Sequence, residues 1–317
     1  MKDQRSTSTN PKALSLTKTV ANWHQKHAVF IISTGRTGTQ FMAEALPKMI
    51  SDCVAFHEPD TLWVDRLWEY FTDVFWKQIR RHGLYHMTIG QAYYTSAHLS
   101  AANHRGAIRT VDAERWLTRL REKFIEQVPQ SIYIESNGLL WGVVEQLLSQ
   151  MSNAKIVLVV RNPRTWIRSA VFASHYRAFK WPDYDFLKFS PRPYHSESPD
   201  FTRKEWSRLS LPDKYAWLYG SVNGKLLQQL EAHPRALILR YEDLFEAENY
   251  LQTFQQFLDF SSVFPDGFQR PNELQPDVIA RPKDSTKNMQ KPQRMWTPTP
   301  SILAEHCGEI MTRFGYE

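Results

Sequence analysis

A turn rich in glycine, hydroxyl and cationic side chains lies between an apolar run at residues 28–32 and a helical pattern at residues 41–50. The turn reads Ser33-Thr34-Gly35-Arg36-Thr37-Gly38-Thr39-Gln40. A buried strand that turns sharply into a helix directs several backbone N–H groups at one point, beside the positive end of the helix dipole. The glycines permit the tight turn, the threonines add hydroxyl donors, and Arg36 adds a charged fork suited to phosphate or sulfonate oxygens. The turn is therefore predicted to bind an anion, although it lacks the lysine of a nucleoside-triphosphate loop.

A second cation follows the strongest strand pattern of the sequence, at residues 155–160. Arg161 comes directly after this pattern, and Ser169 lies about two helical turns further, in a helix that begins near Pro163. In a parallel α/β sheet, ligands gather outside the carboxyl ends of the strands. Arg161 and the turn around Arg36 are therefore predicted to open on the same crevice.

Strand and helix patterns alternate along the chain, which is typical of an α/β fold with a largely parallel sheet. Strands are predicted at residues 28–32, 53–56, 131–137, 155–160 and 236–239. Helices are predicted at residues 41–50, 61–81, 113–127, 163 onwards, 214–232, 246–257 and 301–314, with one more that ends at residue 150. Residues 84–106 show a weak pattern, residues 179–213 are predicted to form a long loop or lid, and residues 265–300 are predicted to be irregular. We expect one domain at residues 27–317, with a central, mostly parallel sheet flanked by helices, after a flexible arm at residues 1–26.

The composition favours a soluble, cytoplasmic protein. With 42% apolar and 13% aromatic residues, a chain of 317 residues buries a large core. The net charge of +6 favours an anionic partner, but neither a long run of like charge nor a basic helix with interleaved aromatics predicts nucleic-acid binding. Cys53 and Cys307 are the only cysteines, which fits a reducing compartment better than a disulfide scaffold. No signal-peptide pattern, no apolar run of the ~18 residues that span a bilayer and no metal-ligand spacing is present, so neither a membrane partner nor a metal is expected.

At the two turns the chain resembles the sulfotransferases that use 3′-phosphoadenosine 5′-phosphosulfate (PAPS), whose fold is similar to that of nucleotide kinases. The loop that holds the 5′-phosphosulfate in that family is matched by Gly35-Arg36-Thr37-Gly38-Thr39-Gln40. The family motif that binds the 3′-phosphate is matched by Arg161, Asn162, Pro163 and Ser169. The stretches LRYEDL at residues 239–244 and FGY at residues 314–316 are also similar to the family. The resemblance implies PAPS as donor, its product adenosine 3′,5′-bisphosphate (PAP) and no metal.

The sequence departs from the family pattern at three places. Gln40 replaces the usual second hydroxyl, and Arg36 stands where many cytosolic members carry lysine. The third predicted strand ends in Glu135-Ser136-Asn137, without the catalytic histidine of those members. The chain is therefore more similar to the carbohydrate, tyrosylprotein and bacterial branches, whose base is often a glutamate shortly after the first loop.

The resemblance implies Glu58 as the general base, because this residue lies just beyond the second predicted strand. The alternative is a glutamate that caps the following helix. His57 is the rival base, because an unperturbed imidazole titrates near physiological pH. Glu135 is a third candidate, which in other interpretations orients the acceptor or holds Arg36. Arg36 is expected to stabilise the charge on the leaving phosphate, by charge and hydrogen bonding alone.

The remaining donor contacts are less readable from the sequence. Phe41 occupies the position where the family stacks an aromatic ring on adenine, and a core position is the alternative. One of Lys287, Lys291 and Arg294, in the segment that closes over the 3′-phosphate in the family, is expected to reach that group. A solvated basic loop is the alternative for these three residues.

The acceptor is expected to be a small molecule, either a natural product or a sugar. Asp60 and Trp63, in an acidic and aromatic segment, are candidates for binding it through a hydroxyl or through an amine or guanidine nitrogen. Two other functions stay open at this point: a kinase or nucleotide hydrolase on the same scaffold, and a non-catalytic nucleotide-binding protein. The sequence does not indicate an oligomeric state.

Overall fold

The computed structural model describes residues 22–59, 96–172, 193, 200–280 and 297–316. The described strands are β1 (His27–Ile32), β2 (Cys53–His57), β3 (Ile132–Ser136), β4 (Ala154–Val160) and β5 (Ala236–Arg240). They form one sheet in the order β2-β3-β1-β4-β5, and every neighbouring pair is parallel. The predicted α/β fold with a parallel sheet is confirmed.

Helices follow or connect all of these strands. They are α1 (Thr39–Met49), α2 (Ser96–His104), α3 (Thr110–Glu126), α4 (Val144–Gln150), α5 (Pro163–Phe172), α6 (Arg203–Arg208), α7 (Leu211–Leu230), α8 (Tyr241–Phe245), α9 (Tyr250–Ser262), α10 (Pro276–Ile279) and α11 (Pro300–Phe314). None of the helices in the described ranges combines the length and the apolar character that crossing a membrane requires.

The sheet is buried on both of its faces. Phe30 and Leu158 belong to a core that includes side chains of α3, α4, α5, α7 and α11. Val29 and Val157, one position away on the same strands, belong to a second core with side chains of α1 and α9. Successive strand residues point to opposite faces, so a strand covered on both sides must be apolar throughout, as residues 28–32 are.

The strand order places a topological switch at β1. From β1 the chain builds β2 and β3 on one side, and it then crosses to the other side of β1 to build β4 and β5. The loops after β1 and β4 therefore lie at the switch point, at the carboxyl edge of the sheet, which is where parallel α/β sheets bind ligands. These are the two loops that contain Arg36 and Arg161.

Two predicted irregular segments contain helices. The predicted loop at residues 179–213 includes α6 and the first turn of α7, and α6 begins with a capping box between Thr202 and Glu205. The segment predicted to be irregular at residues 265–300 includes the one-turn helix α10. The first prediction was wrong because side-chain caps, from Thr202 for α6 and Ser210 for α7, form helices in a stretch whose proline and serine content favours loops. Helix α10 has no side-chain cap and begins with Pro276, which suits the first turn of a helix.

Three further boundaries also differ from the predictions. The weak pattern at residues 84–106 contains α2, and the helix predicted at residues 246–257 begins at Tyr250 and ends at Ser262. Trp23 is fully buried in the core, so residues 22–26 pack with the domain and are not part of a loose arm. The helix predicted at residues 61–81 lies outside the described residues.

Candidate active site

The loop between β1 and α1 has the backbone shape of an anion cradle. Gly35, Arg36 and Gly38 adopt left-handed φ angles of 78°, 57° and 78°. The Gly35 N–H donates to Ser33 Oγ at 3.0 Å. Left-handed residues in succession curl the chain around a concavity of N–H groups, beside the start of α1. Thr37 is 1% exposed, and its Oγ1 forms no hydrogen bond with the described part of the chain.

The two predicted anion-binding segments are in direct contact. Arg36 Nε donates to Ser169 Oγ at 3.2 Å, and Arg161 Nη1 donates to the Arg36 carbonyl at 2.8 Å. Trp166 Nε1, one helical turn before Ser169, donates to the Gly35 carbonyl at 2.8 Å. Three hydrogen bonds thus join the β1 loop to Arg161 and to α5, so the two turns lie together at one edge of the sheet, as the sequence predicts.

Arg161 is held by residues to which the sequence assigned no role. Its guanidinium lies 4.3 Å from the centroid of the Tyr241 ring, and its Nε donates to Thr165 Oγ1 at 3.2 Å. The hydroxyl of Tyr219 donates to the Arg161 carbonyl. Tyr241 lies in the LRYEDL stretch, whose similarity to the family was the one signal in the sequence that pointed to it.

Glu58 is buried at the carboxyl end of β2, where its backbone N–H donates to the Ser136 carbonyl at 3.2 Å. Its φ of 43° is a left-handed conformation, which is strained for a residue with a side chain. The carboxylate lies beside Gly138: a Cβ on Gly138 would be 3.4 Å from Glu58 Oε1 and 3.1 Å from Gly35 N. The absence of a side chain at position 138 therefore lets the base candidate and the anion loop approach each other. In the sequence, the signal that could have identified Gly138 is a glycine directly after a predicted strand.

His57 also lies at this end of β2, and it is half-buried. Its Nδ1 donates to the Ser136 carbonyl at 3.2 Å, which places the proton on that nitrogen. Burial lowers the pKa of His57, while the Ser136 carbonyl and the charge of Glu44 oppose the shift. A neutral imidazole with a lone pair on Nε2 results, so the structure leaves His57 as an alternative base.

Glu135 has a different role from the ones predicted. Its carboxylate is fully buried and accepts two hydrogen bonds from Arg121, at 2.8 Å from Nε and 2.7 Å from Nη2. It also accepts hydrogen bonds from the Tyr133 hydroxyl at 2.6 Å and the Asn137 amide at 2.7 Å. The expectation that Glu135 holds Arg36 is therefore wrong, because these donors occupy both carboxylate oxygens. The fully buried carboxylate lacks the access that a base or an acceptor-binding group needs.

Two further predicted donor contacts lie at the start of α1. Gln40 is exposed and donates to Glu44 Oε1 at 3.1 Å, one turn along the helix. Phe41 is half-buried, with ring centroids 5.5 Å from Phe245 and 6.4 Å from Phe254. These edge contacts favour the core interpretation of Phe41. The predicted residues that lie outside the described part of the chain are Asp60, Trp63, Lys287, Lys291 and Arg294.

A donor with two anionic groups fits these residues. The curled loop and the buried Thr37 hydroxyl suit one anionic group, and the adjacent Arg161 and Ser169 suit a second. Among the described residues, no group of three or more histidine, cysteine, aspartate or glutamate side chains is arranged to hold a metal ion.

The fold and the site together define a class of protein. A parallel sheet with a glycine-rich loop after β1 and an arginine after β4, both at its carboxyl edge, is an arrangement in which α/β proteins bind ligands. Residues 26–266 match the family model described as the sulfotransferase domain. Because this match covers more than half of the chain, the protein belongs to the sulfotransferase family and is a sulfuryl-transferring enzyme.

One solved bacterial sulfotransferase shows the same fold, and two further sulfotransferase structures are similar at lower scores. A sulfotransferase from Mycobacterium avium superposes with a TM-score of 0.52 at 12% identity, covering 92% of this chain and 78% of that one. The sulfotransferase domain of the curacin biosynthetic pathway gives a TM-score of 0.44 at 14% identity, covering 93% of this chain and 99% of that one. A sulfotransferase from Alicyclobacillus acidocaldarius gives 0.37 at 14% identity, covering 80% and 88%. Curated protein sequences contain no match.

Proposed function

We propose that this enzyme transfers a sulfuryl group from PAPS to a small-molecule acceptor, a natural product or a sugar, at a hydroxyl or at an amine or guanidine nitrogen. The observation that carries the proposal is the contact between the two anion-binding segments, in which Arg36 bonds Ser169 and Arg161 bonds the Arg36 carbonyl. A donor with anionic groups at both its 5′ and 3′ positions needs two such segments close together.

The residues divide the binding of the donor between them. The backbone N–H groups of the loop, the Thr37 hydroxyl and the start of α1 hold the 5′-phosphosulfate. Arg161 and Ser169 hold the 3′-phosphate, and one of the lysines or the arginine at residues 287–294 closes over it. When bound, PAPS supplies an activated sulfuryl group whose leaving group is the phosphate of PAP.

Glu58 removes the acceptor proton in this proposal. Its carboxylate lies beside Gly138 and the anion loop, at the edge of the sheet where the acceptor meets the donor. The strained φ of Glu58 and its backbone bond to Ser136 fix the carboxylate in this place. Arg36 stabilises the negative charge that collects on the leaving phosphate oxygen. As the acceptor atom bonds to sulfur, the bond between sulfur and the phosphate oxygen of the donor would break, the electron pair would stay on that phosphate oxygen, and the acceptor proton would pass to Glu58.

The donor site is tested by calorimetric titration of the full chain with PAP, ATP and AMP in metal-free buffer. We expect PAP to bind with about micromolar Kd and the other two nucleotides more weakly. Arg161→Ala should weaken PAP binding roughly 10- to 100-fold, because it removes a charge-assisted hydrogen bond to the 3′-phosphate. Arg164→Ala is the matched control, since it removes the same charge from an exposed position on α5. ATP binding tighter than PAP binding, or equal effects of the two variants, would instead support the kinase-like function.

The base is tested by turnover of PAPS with a panel of hydroxyl, amine and guanidine compounds, with sulfated products detected by mass spectrometry. Glu58→Gln is expected to lower the rate roughly 10²- to 10⁴-fold while PAP still binds. His57→Asn separates the two candidates, because it removes the imidazole and keeps Glu58. A loss of turnover in His57→Asn, with Glu58→Gln close to wild type, would assign the base to His57.

A further inference from the structure

The short helix α8, directly after β5, contacts both anion-binding segments. The Tyr241 ring lies against the Arg161 guanidinium at 4.3 Å. At the other end of the helix, Phe245 lies under the β1 loop, where a Cβ on Gly38 would be 3.1 Å from Phe245 Cε2. Helix α8 therefore packs against both of the segments assigned to the donor.

Glu242, on the same helix, joins the Arg161 turn to a distant part of the chain. Its Oε1 accepts a hydrogen bond from the backbone N–H of Asn162, the residue after Arg161, at 2.8 Å. Its Oε2 accepts a hydrogen bond from the Tyr316 hydroxyl at 2.8 Å. Both carboxylate oxygens are used, and the backbone of the Arg161 turn is tied through Glu242 to Tyr316.

The end of α11 directs Tyr316 to this position. Gly315 has a left-handed φ of 64°, and the N–H of Tyr316 donates to the Met311 carbonyl at 2.8 Å, which closes the helix and turns the chain back. Tyr316 is 5% exposed, and its ring lies 4.9 Å from the Arg240 guanidinium. Burial, with the charge of Glu242, raises the pKa of the Tyr316 hydroxyl, which therefore stays a donor.

A close helix contact brings a second tyrosine to the same turn. A Cβ on Gly220 of α7 would be 2.0 Å from the His306 carbonyl of α11, so only glycine allows these two helices to approach this closely. Tyr219, the neighbour of Gly220, donates to the carbonyl of Arg161, while Tyr316 reaches the following N–H through Glu242. The peptide unit after Arg161 is thus held at both its carbonyl and its N–H.

We propose that Glu242 and Tyr316 are positioning residues for Arg161, which fix its backbone so that the guanidinium is presented to the 3′-phosphate of the donor. The proposal rests on the proposed function for the identity of that phosphate. Electrostatics alone gives the opposite expectation, because the negative charge of Glu242 near an anion site weakens anion binding. The two hydrogen bonds that the Glu242 carboxylate accepts account for a carboxylate at this position.

The test compares PAP with AMP, which lacks the 3′-phosphate, by calorimetry on the full chain. Tyr316→Phe removes one oxygen and is expected to weaken PAP binding roughly three- to tenfold, with AMP binding unchanged. Glu242→Ala should weaken PAP binding at least as much. Glu242→Gln should restore most of the affinity, because an amide accepts from Asn162 N–H and donates to the Tyr316 oxygen. Asp243→Asn is the control, since it removes a charge from the same helix, and Asp243 pairs with Arg240 at 3.8 Å whereas the Asn162 N–H donates to Glu242.

The ratio of PAP to AMP affinity separates positioning from general damage to the fold, which weakens the binding of both nucleotides. An unchanged ratio in Tyr316→Phe, or tighter PAP binding by Glu242→Ala, would overturn the proposal. If Glu242→Ala does not fold, the proposal is judged from the ratio of PAP to AMP affinity in Tyr316→Phe and Glu242→Gln. Failure of the wild type to bind PAP would overturn the proposed function and this inference together, whereas wild-type binding with an unchanged ratio would overturn the inference alone.

Discussion

Neutralising Glu135 is expected to destabilise the whole domain. In Glu135→Gln the side chain keeps its shape, but the Arg121 guanidinium, 1% exposed, loses its counter-charge. Breaking a fully buried ion pair by removing one partner costs about 3–5 kcal/mol, because the remaining charge is desolvated without compensation. A domain has a free energy of unfolding of about 5–15 kcal/mol, so this single change removes a large fraction of it.

The assay is urea denaturation followed by far-UV circular dichroism. The midpoints of the variants are compared as changes in stability, which requires that their m-values are equal. Asp112→Asn is the matched control: its partner Arg109 is 78% exposed, so the midpoint should not move measurably. The double variant Arg121→Met, Glu135→Gln should regain much of the lost stability, because no buried charge remains. A midpoint for Glu135→Gln equal to that of Asp112→Asn, or a double variant less stable than the single one, would refute the reasoning.

Three further predictions concern packing and pH. Gly138→Ala should lower the free energy of unfolding by about 1–3 kcal/mol and weaken PAP binding, because the new Cβ would lie 3.1 Å from Gly35 N. Urea denaturation measures the first effect, and calorimetry measures the second. Gly224→Ala, with nothing within 4 Å of its Cβ, should stabilise helix α7 by about 0.5–1 kcal/mol, and a destabilised variant would contradict this. Burial, aided by the charge of Lys225, lowers the pKa of His104 from 6.5 to about 4. Below pH 6.5 the unfolded chain therefore binds more protons than the folded chain, and the free energy of unfolding falls by about 3 kcal/mol as the pH approaches 4. Denaturation at several pH values should show a smaller fall in His104→Gln, and an equal fall would refute the assignment to His104.

The local pattern was sufficient to predict the strands and most of the helices. The apolar runs at residues 28–32 and 155–160 are β1 and β4 within a residue or two, because strands buried on both faces must be apolar throughout. Helix α6 escaped prediction because it is only six residues long and depends on the Thr202–Glu205 capping box, a weak signal beside the surrounding loop residues.

The role of Glu135 shows where prediction from local sequence stops. A carboxylate at the end of a strand has the same local pattern whether it faces an acceptor or a buried arginine. Its partner Arg121 lies in α3 and joins it only when that helix packs on the sheet. No periodicity within either segment records this pairing.

The sequence by itself determined the α/β fold and the two turns predicted to bind anions, because strand burial, glycine turns and motif spacing are local properties. The tertiary structure decided which side chains meet at those turns. The contacts of Arg161 with Arg36, Tyr241 and Tyr219 join residues far apart in the chain, and they form only once the strand order has brought the ends of β1, β4 and β5 together. Chemistry that depends on such contacts is therefore visible only in the folded chain.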